Sequence, residues 1–529
     1  MSYCTSPYLF LFLPAALLLY HIAPQRIRPI LLLVINYCFF WIVSGSLLTY
    51  LLFSTLSVYG IGLCLSSVQK KQELILKVCN KEEKHHRKMI YKKQQRMILF
   101  LGILLHAGIL LVLKYGAFFC FNLNVFLNFF HAPIDIPVPS FLLPVGISFY
   151  TLQAISYLAD IYRKKISADT NLLRFALYMS FFPQIMEGPI CRYTETSSQL
   201  WNCKRITYQN LTFGIQRILF GMLKKVVIAD RLNIVIKTVF DDYSQYNGSI
   251  IALAAMFYTC QLYMEFSGTM DVVIGSGELF GIKLPENFRQ PFFSKSISEF
   301  WTRWHITLGS WFRDYIFYPL SMAKFMKHPT AMIRKYLGNN YGIIFSASIA
   351  LFCVWFCNGL WHGAEWKYVF FGLYHFVLIF LGNLIKPLSL RITEKIHSPL
   401  SSIAMTIFTT IRTTLLVCIG ELFFRASSLT DGLHMFKKII TDASFSSLFD
   451  GSLLGLGMDR NDFEITAISL MIVLSVSLLK ERHLSVRTIL ADQRLPVRWA
   501  VYYALILYII LFGAYGDGYI PVDPIYADF

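Results

Sequence analysis

Apolar side chains in this sequence gather into long runs separated by short polar links, the pattern of a chain that crosses a bilayer repeatedly. A crossing helix needs about 20 apolar residues. Runs near that length occupy residues 8–22, 30–43, 46–66, 97–119, 141–159, 343–360, 465–479 and 499–512, with further runs near Ile215 and Ile251. Two segments break the pattern: 172–189 and 297–320 are aromatic and half polar and are interrupted by proline or charge. Such backbone is tolerated at membrane depth only where protein covers it or it lines a wet cavity, so both are expected to be re-entrant or interfacial helices around a site. The expected fold class is all-α, a polytopic integral membrane protein of roughly 10–12 transmembrane helices.

The polar links carry a sign that orients these runs. Loops on the cytoplasmic side collect Lys and Arg, and residues 67–96 hold Lys70, Lys71, Lys77, Lys81, Lys84, Arg87, Lys88, Lys92, Lys93 and Arg96 against Glu73, Glu82 and Glu83. Fixing that loop inside places Arg26 and Arg28, Arg163 to Lys165, Lys324 to Lys335, Lys386 to Lys395 and Arg482 to Arg498 inside as well. Asp135, Asp241, Asp242, the net acidic stretch 427–464 and the tail with Asp517, Asp523 and Asp528 fall outside. About 12 crossings with both termini outside satisfy every loop. The run at 8–22 lacks a basic leader and a small-residue cleavage pattern, so it is expected to be retained as a span.

Composition agrees: 56% of the 529 residues are hydrophobic and only 15% charged, against about 25% charged in a soluble domain. The net charge of +17 then reads as membrane orientation, and a nucleic-acid partner is not expected. The 11 cysteines are scattered singly without metal-ligand spacing, so neither a disulfide framework nor a metal site is expected. Cys191, beside Arg192, reads as packing.

Most spans are bland, but the middle third is not. Between Glu265 and His375 the sequence concentrates carboxylates, arginines, asparagines and histidines among tryptophans, and ionisable groups at membrane depth point to a functional interior. The order of these residues is specific: Phe266-Ser267-Gly268, Asp271, Leu284-Pro285-Glu286-Asn287-Phe288, Glu299-Phe300-Trp301-Thr302-Arg303-Trp304-His305, Trp311-Phe312-Arg313-Asp314-Tyr315, then Gly359-Leu360-Trp361-His362-Gly363-Ala364 and Tyr374-His375. This series resembles the membrane-bound O-acyltransferase (MBOAT) family. Upstream, Leu143 to Tyr150, Asp160 to Arg163, Phe181-Phe182-Pro183 and Gly188 to Arg192 are similar to its bacterial branch, the one containing the alginate O-acetyltransferase membrane subunit. The sequence departs from that branch at Thr269-Met270 before Asp271 and at Glu187 before Gly188.

The resemblance implies a fold with re-entrant helices around a central tunnel and three regions: N-terminal spans over 1–140 with the basic loop 67–96, a catalytic core over 141–386, and a C-terminal extension over 387–529. Acyl transfer to a hydroxyl needs a base near its operating pH, the task to which imidazole is suited. His362, between Trp361 and Gly363 at the end of the 343–360 span, is the expected base. His305 is the second catalytic candidate, orienting the donor or polarising the thioester carbonyl. Asp314 either fixes a histidine tautomer or forms a local ion pair with Arg313. Asn287, Asp271, Glu299, Trp304 and Trp361 are expected to line the substrate path, and His375 to be core packing.

The resemblance further implies no bound cofactor, with acetyl-CoA or another acyl thioester as donor substrate and a glycopolymer or cell-wall polymer as acceptor. An extracytoplasmic SGNH-type acyltransferase or esterase is the expected partner, since the longest outside loop is too short to hold such a domain. The expected localisation is multi-pass in the lipid bilayer of a bacterial plasma membrane. Two alternatives stay open at this stage: D-alanyl transfer to teichoic acid, and a polysaccharide transporter or flippase, for which no repeated half is found. The spans after Glu421 to Ala426 resemble the acetylating branch.

Overall fold

The computed structural model describes residues 2–132, 134–395 and 399–515. The expectations placed on Asp517, Asp523 and Asp528, and on the side chains of Arg391 and Lys395, lie outside the described residues. Among the described residues every regular element is helical, the all-α class expected. The chain folds into two compact units: one holds residues 2–214 and 273–285, the other 215–272 and 286–515. These limits differ from the three regions read off the sequence, whose 386/387 border falls inside one continuous helix, Trp366–Lys395.

In the first unit a π-helical turn, Pro7–Phe12, leads into α1 (Leu13–Ile22); α2 (Arg28–Ser44), α3 (Leu48–Val78) and α4 (Lys81–Phe129) follow. The break between α2 and α3 falls at Gly45, whose φ of +55° is a conformation that side chains with a Cβ resist. It marks the turn expected at Ser44-Gly45. The next helix, α5 (Ile147–Tyr162), is buried at every position from Ile147 to Ile161. Asn171 then caps α6 (Leu172–Ser180) by accepting from the Leu173 and Arg174 amides. The stretch from Phe175 to Cys191 is buried throughout and precedes α7 (Tyr193–Asn202). Asn36 serves this covered backbone: its Oδ1 accepts from the Phe182 amide at 3.1 Å and its Nδ2 donates to Ser180 Oγ at 3.4 Å. Cys191 is fully buried, its carbonyl accepting from Tyr178 Oη.

Eight segments of the described chain are long and apolar enough to cross a membrane. They are Arg28–Val78, which contains α2 and α3; α4; α10 (Gly248–Leu279); Tyr341–His362 of α14 (Lys324–His362); Trp366–Lys386 of α15 (Trp366–Lys395); Ile403–Arg425 of α16 (Pro399–Arg425); α18 (Arg460–Glu481); and α20 (Leu495–Phe512). The run at 8–22 forms only a shorter apolar helix. The other expected crossings fall on shorter or interrupted helices. The run at 141–159 is apolar because protein surrounds α5, and the run near Ile215 is interrupted, α8 (Tyr208–Met222) passing through the π-helical Leu223–Ala229 into α9 (Asp230–Asp241). The expected irregular segment 297–320 is a chain of short pieces: α11 (Ile297–Arg303), α12 (Ile306–Phe312), a π-helical turn and α13 (Tyr318–Ser321). The remaining helices of the second unit are α17 (Leu429–Thr441) and α19 (Val486–Ala491).

The π-helical turn after α8 carries two buried lysines into the second unit. Lys225 Nζ lies 2.7 Å from Asp230 and 2.8 Å from Glu265 of α10. Lys224 Nζ lies 2.5 Å from Asp271, which also receives Arg217 Nε at 2.9 Å. An ion pair taken out of water gains little over an apolar substitute, but removing one partner strands the other. Lys225→Ala is therefore expected to destabilise the protein by about 3–5 kcal/mol. Thermal unfolding in detergent checks this, and a midpoint equal to wild type would contradict it.

Candidate functional site

Trp304 and His305 separate α11 from α12. His305 has φ +46° and occupies the N-cap position of α12 without capping it. The cap comes from Asn287, across the loop: its Oδ1 accepts from the Thr307 amide at 3.1 Å and from Thr307 Oγ1 at 2.9 Å, and stands 3.2 Å from His305 Nδ1. Backbone bonds from Ile306 N to Asn287 O (3.0 Å) and from Arg289 N to Arg303 O (2.9 Å) tie the two sides of this loop together. They hold a left-handed non-glycine residue that costs roughly 1–3 kcal/mol of local strain.

The same bonds set the histidine tautomer. A backbone N–H can only donate, so the Asn287 atom facing Thr307 is its oxygen. His305 Nδ1 then carries the proton, and Nε2 carries the lone pair. His305 is 3% exposed, and burial, followed by the charge of nearby His362, holds its pKa well below the usual histidine value. A neutral imidazole in this tautomer accepts a proton or hydrogen bond at Nε2. Polarising a carbonyl from Nε2 would require a proton on that atom.

His362 ends α14 and is also buried. The Trp361 ring sits edge-on to both histidines, 5.7 Å from His305 and 5.1 Å from His362 between centroids. Phe424 and Phe371 close the far side of His362 at 5.3 and 6.0 Å. The turn that presents it depends on Gly363, where a Cβ would stand 2.2 Å from the Tyr368 ring. His375, on α15, accepts from Trp301 Nε1 at 3.3 Å through Nδ1 and is boxed by Trp301, Phe371 and Trp355.

The other expected site residues are placed differently from one another. Trp304 packs with Phe300, Phe288 and Tyr263. Ser296 caps α11 by accepting from the Glu299 amide, while the Glu299 carboxylate accepts from the Lys295 amide and pairs at 2.9 Å with Arg303, which also reaches Glu481. Arg313 and Asp314 form the local ion pair, at 3.3 Å with Arg313 largely exposed, and the group facing His305 Nδ1 is Asn287. Asp271 belongs to the lysine and arginine network and lines a cavity with Arg217 and Glu286. Sequence reasoning passed over Lys224, Lys225 and Glu421 as site-bearing residues. Glu421 is 2% exposed on α16, beside Gly420, where a Cβ would lie 2.7 Å from His375 Nε2. The signal was present in each case, since all three are charges inside apolar runs.

Comparison with known proteins adds the relationship. The family model described as MBOAT, membrane-bound O-acyltransferase family, matches residues 35–332, which include Asn287 and His305 and stop short of His362. A probable alginate O-acetylase of Pseudomonas aeruginosa is 32% identical over 462 residues, 86% of this chain and 78% of that protein. A peptidoglycan O-acetyltransferase of Helicobacter pylori is 29% identical over 374 residues, 65% of each chain. A teichoic acid D-alanyltransferase of Bacillus subtilis is 30% identical over 245 residues, 45% of this chain and 58% of that one.

The hydrogen-bond geometry yields a spectroscopic expectation. In protein labelled with ¹⁵N-histidine, His305 is expected to stay neutral and in the Nδ1–H tautomer at pH 6, where an exposed histidine is mostly protonated. Asn287→Leu is expected to abolish that tautomer preference. Protonation of His305 at pH 6, or an unchanged tautomer in the variant, would contradict the assignment.

Proposed function

Because the chain belongs to the membrane-bound O-acyltransferase family and is a multi-pass membrane O-acyltransferase, we propose that it moves an acetyl group from a cytoplasmic thioester to hydroxyls of an extracytoplasmic glycopolymer. The observation that carries the chemical part of this reading is the pair of buried histidines flanking the Trp361 ring. Away from water an imidazole lone pair has few competitors, and the aromatic walls exclude the hydrolysis that would waste the thioester.

In the proposed reaction His362 takes the proton of the attacking hydroxyl as its oxygen bonds to the thioester carbonyl carbon. The C–S bond then breaks, and the departing thiolate recovers the proton from His362. His305, through the Nε2 lone pair that Asn287 enforces, accepts a hydrogen bond from a second donor group of the acceptor and so orients it, the proton of the attacking hydroxyl being the one that goes to His362. Base catalysis of this kind contributes about 10²–10⁴-fold. Coenzyme A is the donor carrier we propose, and the hydroxyl belongs either to the polymer or to a separate SGNH-type partner that finishes the transfer outside. The charge on the loops supports both termini outside and the 67–96 loop in the cytoplasm.

Acetyl is favoured over D-alanyl by the extent of the likeness. The relative named as an alginate O-acetylase aligns with 86% of the chain, whereas the relative named as a D-alanyltransferase aligns with 45%.

Cells carrying the chain intact, deleted, or with His362→Ala are compared for acids released from envelope polymers by mild alkali. We expect acetate to fall equally in the deletion and the variant at unchanged polymer yield. A fall in D-alanine instead would replace the donor, and wild-type acetate from a well-inserted His362→Ala protein would remove His362 as the base.

A further inference from the structure

The second unit contains a cavity of about 800 Å³ between α8, α18, the α19 region and α20. Thr302 and Ile306 form part of its wall, so it shares the His305 loop, although neither His305 nor His362 lines it. Its lining is divided. Leu219, Leu223, Ile472, Val476, Val501 and Leu505 are apolar, whereas Arg289, Lys480 and Arg487 bring positive charge. Arg217 also lines it, but that guanidinium is engaged by Asp271 and by both oxygens of Glu286. Among the described residues Arg289 and Lys480 make no ion pair with a carboxylate, and Lys480 lies over the Phe220 ring at 5.5 Å.

A second observation concerns what holds α20. None of its side chains is buried, although it is long and apolar enough to span a membrane. It is tethered instead by polar contacts: Gln216 to Tyr502 Oη at 2.8 Å, Ser469 with Tyr508 Oη at 2.9 Å, Arg231 to the Phe512 carbonyl at 2.6 Å, and Ala514 N to the Val226 carbonyl at 2.9 Å. Its apolar side chains are at most half-buried, Leu505, Ile506 and Ile509 among them, and Val501 and Leu505 border the cavity. Trp499 stacks near Tyr502 and Tyr503 at the basic end of the helix, the arrangement of a headgroup-level aromatic belt.

We infer that this cavity is a binding site for an anionic bilayer phospholipid. Its phosphate is held by Arg289, Lys480 and Arg487, and an acyl chain descends between α8, α18 and α20. The lipid adds apolar contact to the half-buried face of α20 and joins the C-terminal helices to the wall carrying Thr302 and Ile306. A phosphate also occurs on soluble thioester carriers. The divided lining favours the lipid, since the apolar half is contiguous with the lipid-exposed faces of two spanning helices.

The test uses the purified full chain, delipidated in detergent and titrated with phosphatidylglycerol or phosphatidylcholine, with bound lipid read by native mass spectrometry. Wild type is expected to retain phosphatidylglycerol in preference to phosphatidylcholine. The triple variant Arg289→Gln, Lys480→Gln, Arg487→Gln is expected to lose affinity on the order of a hundredfold, at roughly fivefold for each cation. Lys88→Gln, Lys92→Gln, Lys93→Gln, which removes equal charge from α4, is expected to bind as wild type. Val476→Trp fills the cavity, leaves the cations in place, and is expected to displace the lipid as well, which covers a triple variant that fails to fold. Equal retention of the two lipids, or retention unchanged by the cavity variants, would overturn the proposal. So would displacement of phosphatidylglycerol by coenzyme A, which would assign the phosphate to a soluble donor.

Discussion

A polar group carried out of water has to be satisfied by other protein groups, and the second unit is organised around that obligation. Asn287 shows it most compactly: one amide oxygen receives the first free amide of α12, the Thr307 hydroxyl and the His305 ring. The helix start, the loop conformation and the imidazole tautomer are thereby one arrangement. A change at Asn287 reaches all three, because Thr307 and His305 have to find another acceptor together. The lysine pair on the π-helical turn obeys the same requirement, with Lys225 facing two carboxylates and Lys224 sharing Asp271 with Arg217.

That obligation also explains the balance between aromatic and polar residues around His362. Trp361, Phe371 and Phe424 leave the imidazole little room and little water. A hydroxyl that reaches the ring there meets few competing donors. The α14–α15 turn can press this close only because Gly363 presents no side chain to Tyr368. The histidine is thus positioned by packing, while His305 is positioned by hydrogen bonds. The two supports are independent, and both converge on the Trp361 ring.

Much of this was legible in the order of residues. The all-α class, the turn at Ser44-Gly45, the broken character of 297–320 and the concentration of polar groups between Glu265 and His375 all follow from hydropathy, charge and glycine placement. What hydropathy cannot separate is apolarity facing lipid from apolarity facing protein. The run at 141–159 has the apolarity of a lipid-facing span, and in the fold it is α5, covered by protein along its length. Pairings between distant residues are equally out of reach: from sequence Asn287 reads as a lining group, because nothing in a linear sequence says that residue 287 meets residue 307. For Asp314 the adjacent Arg313 was visible from the start, and the local ion pair is what forms.

The central claim is that His305 and His362 act as one unit across Trp361. A double-mutant cycle on the turnover of the purified, reconstituted protein, using His305→Ala, His362→Ala and the pair together, addresses it most directly. Residues that act together are non-additive in rate, so the account predicts a double variant about as slow as the slower single one. Losses that multiply, each variant lowering the rate by the same factor whether or not the other is present, would show two independent residues and contradict it.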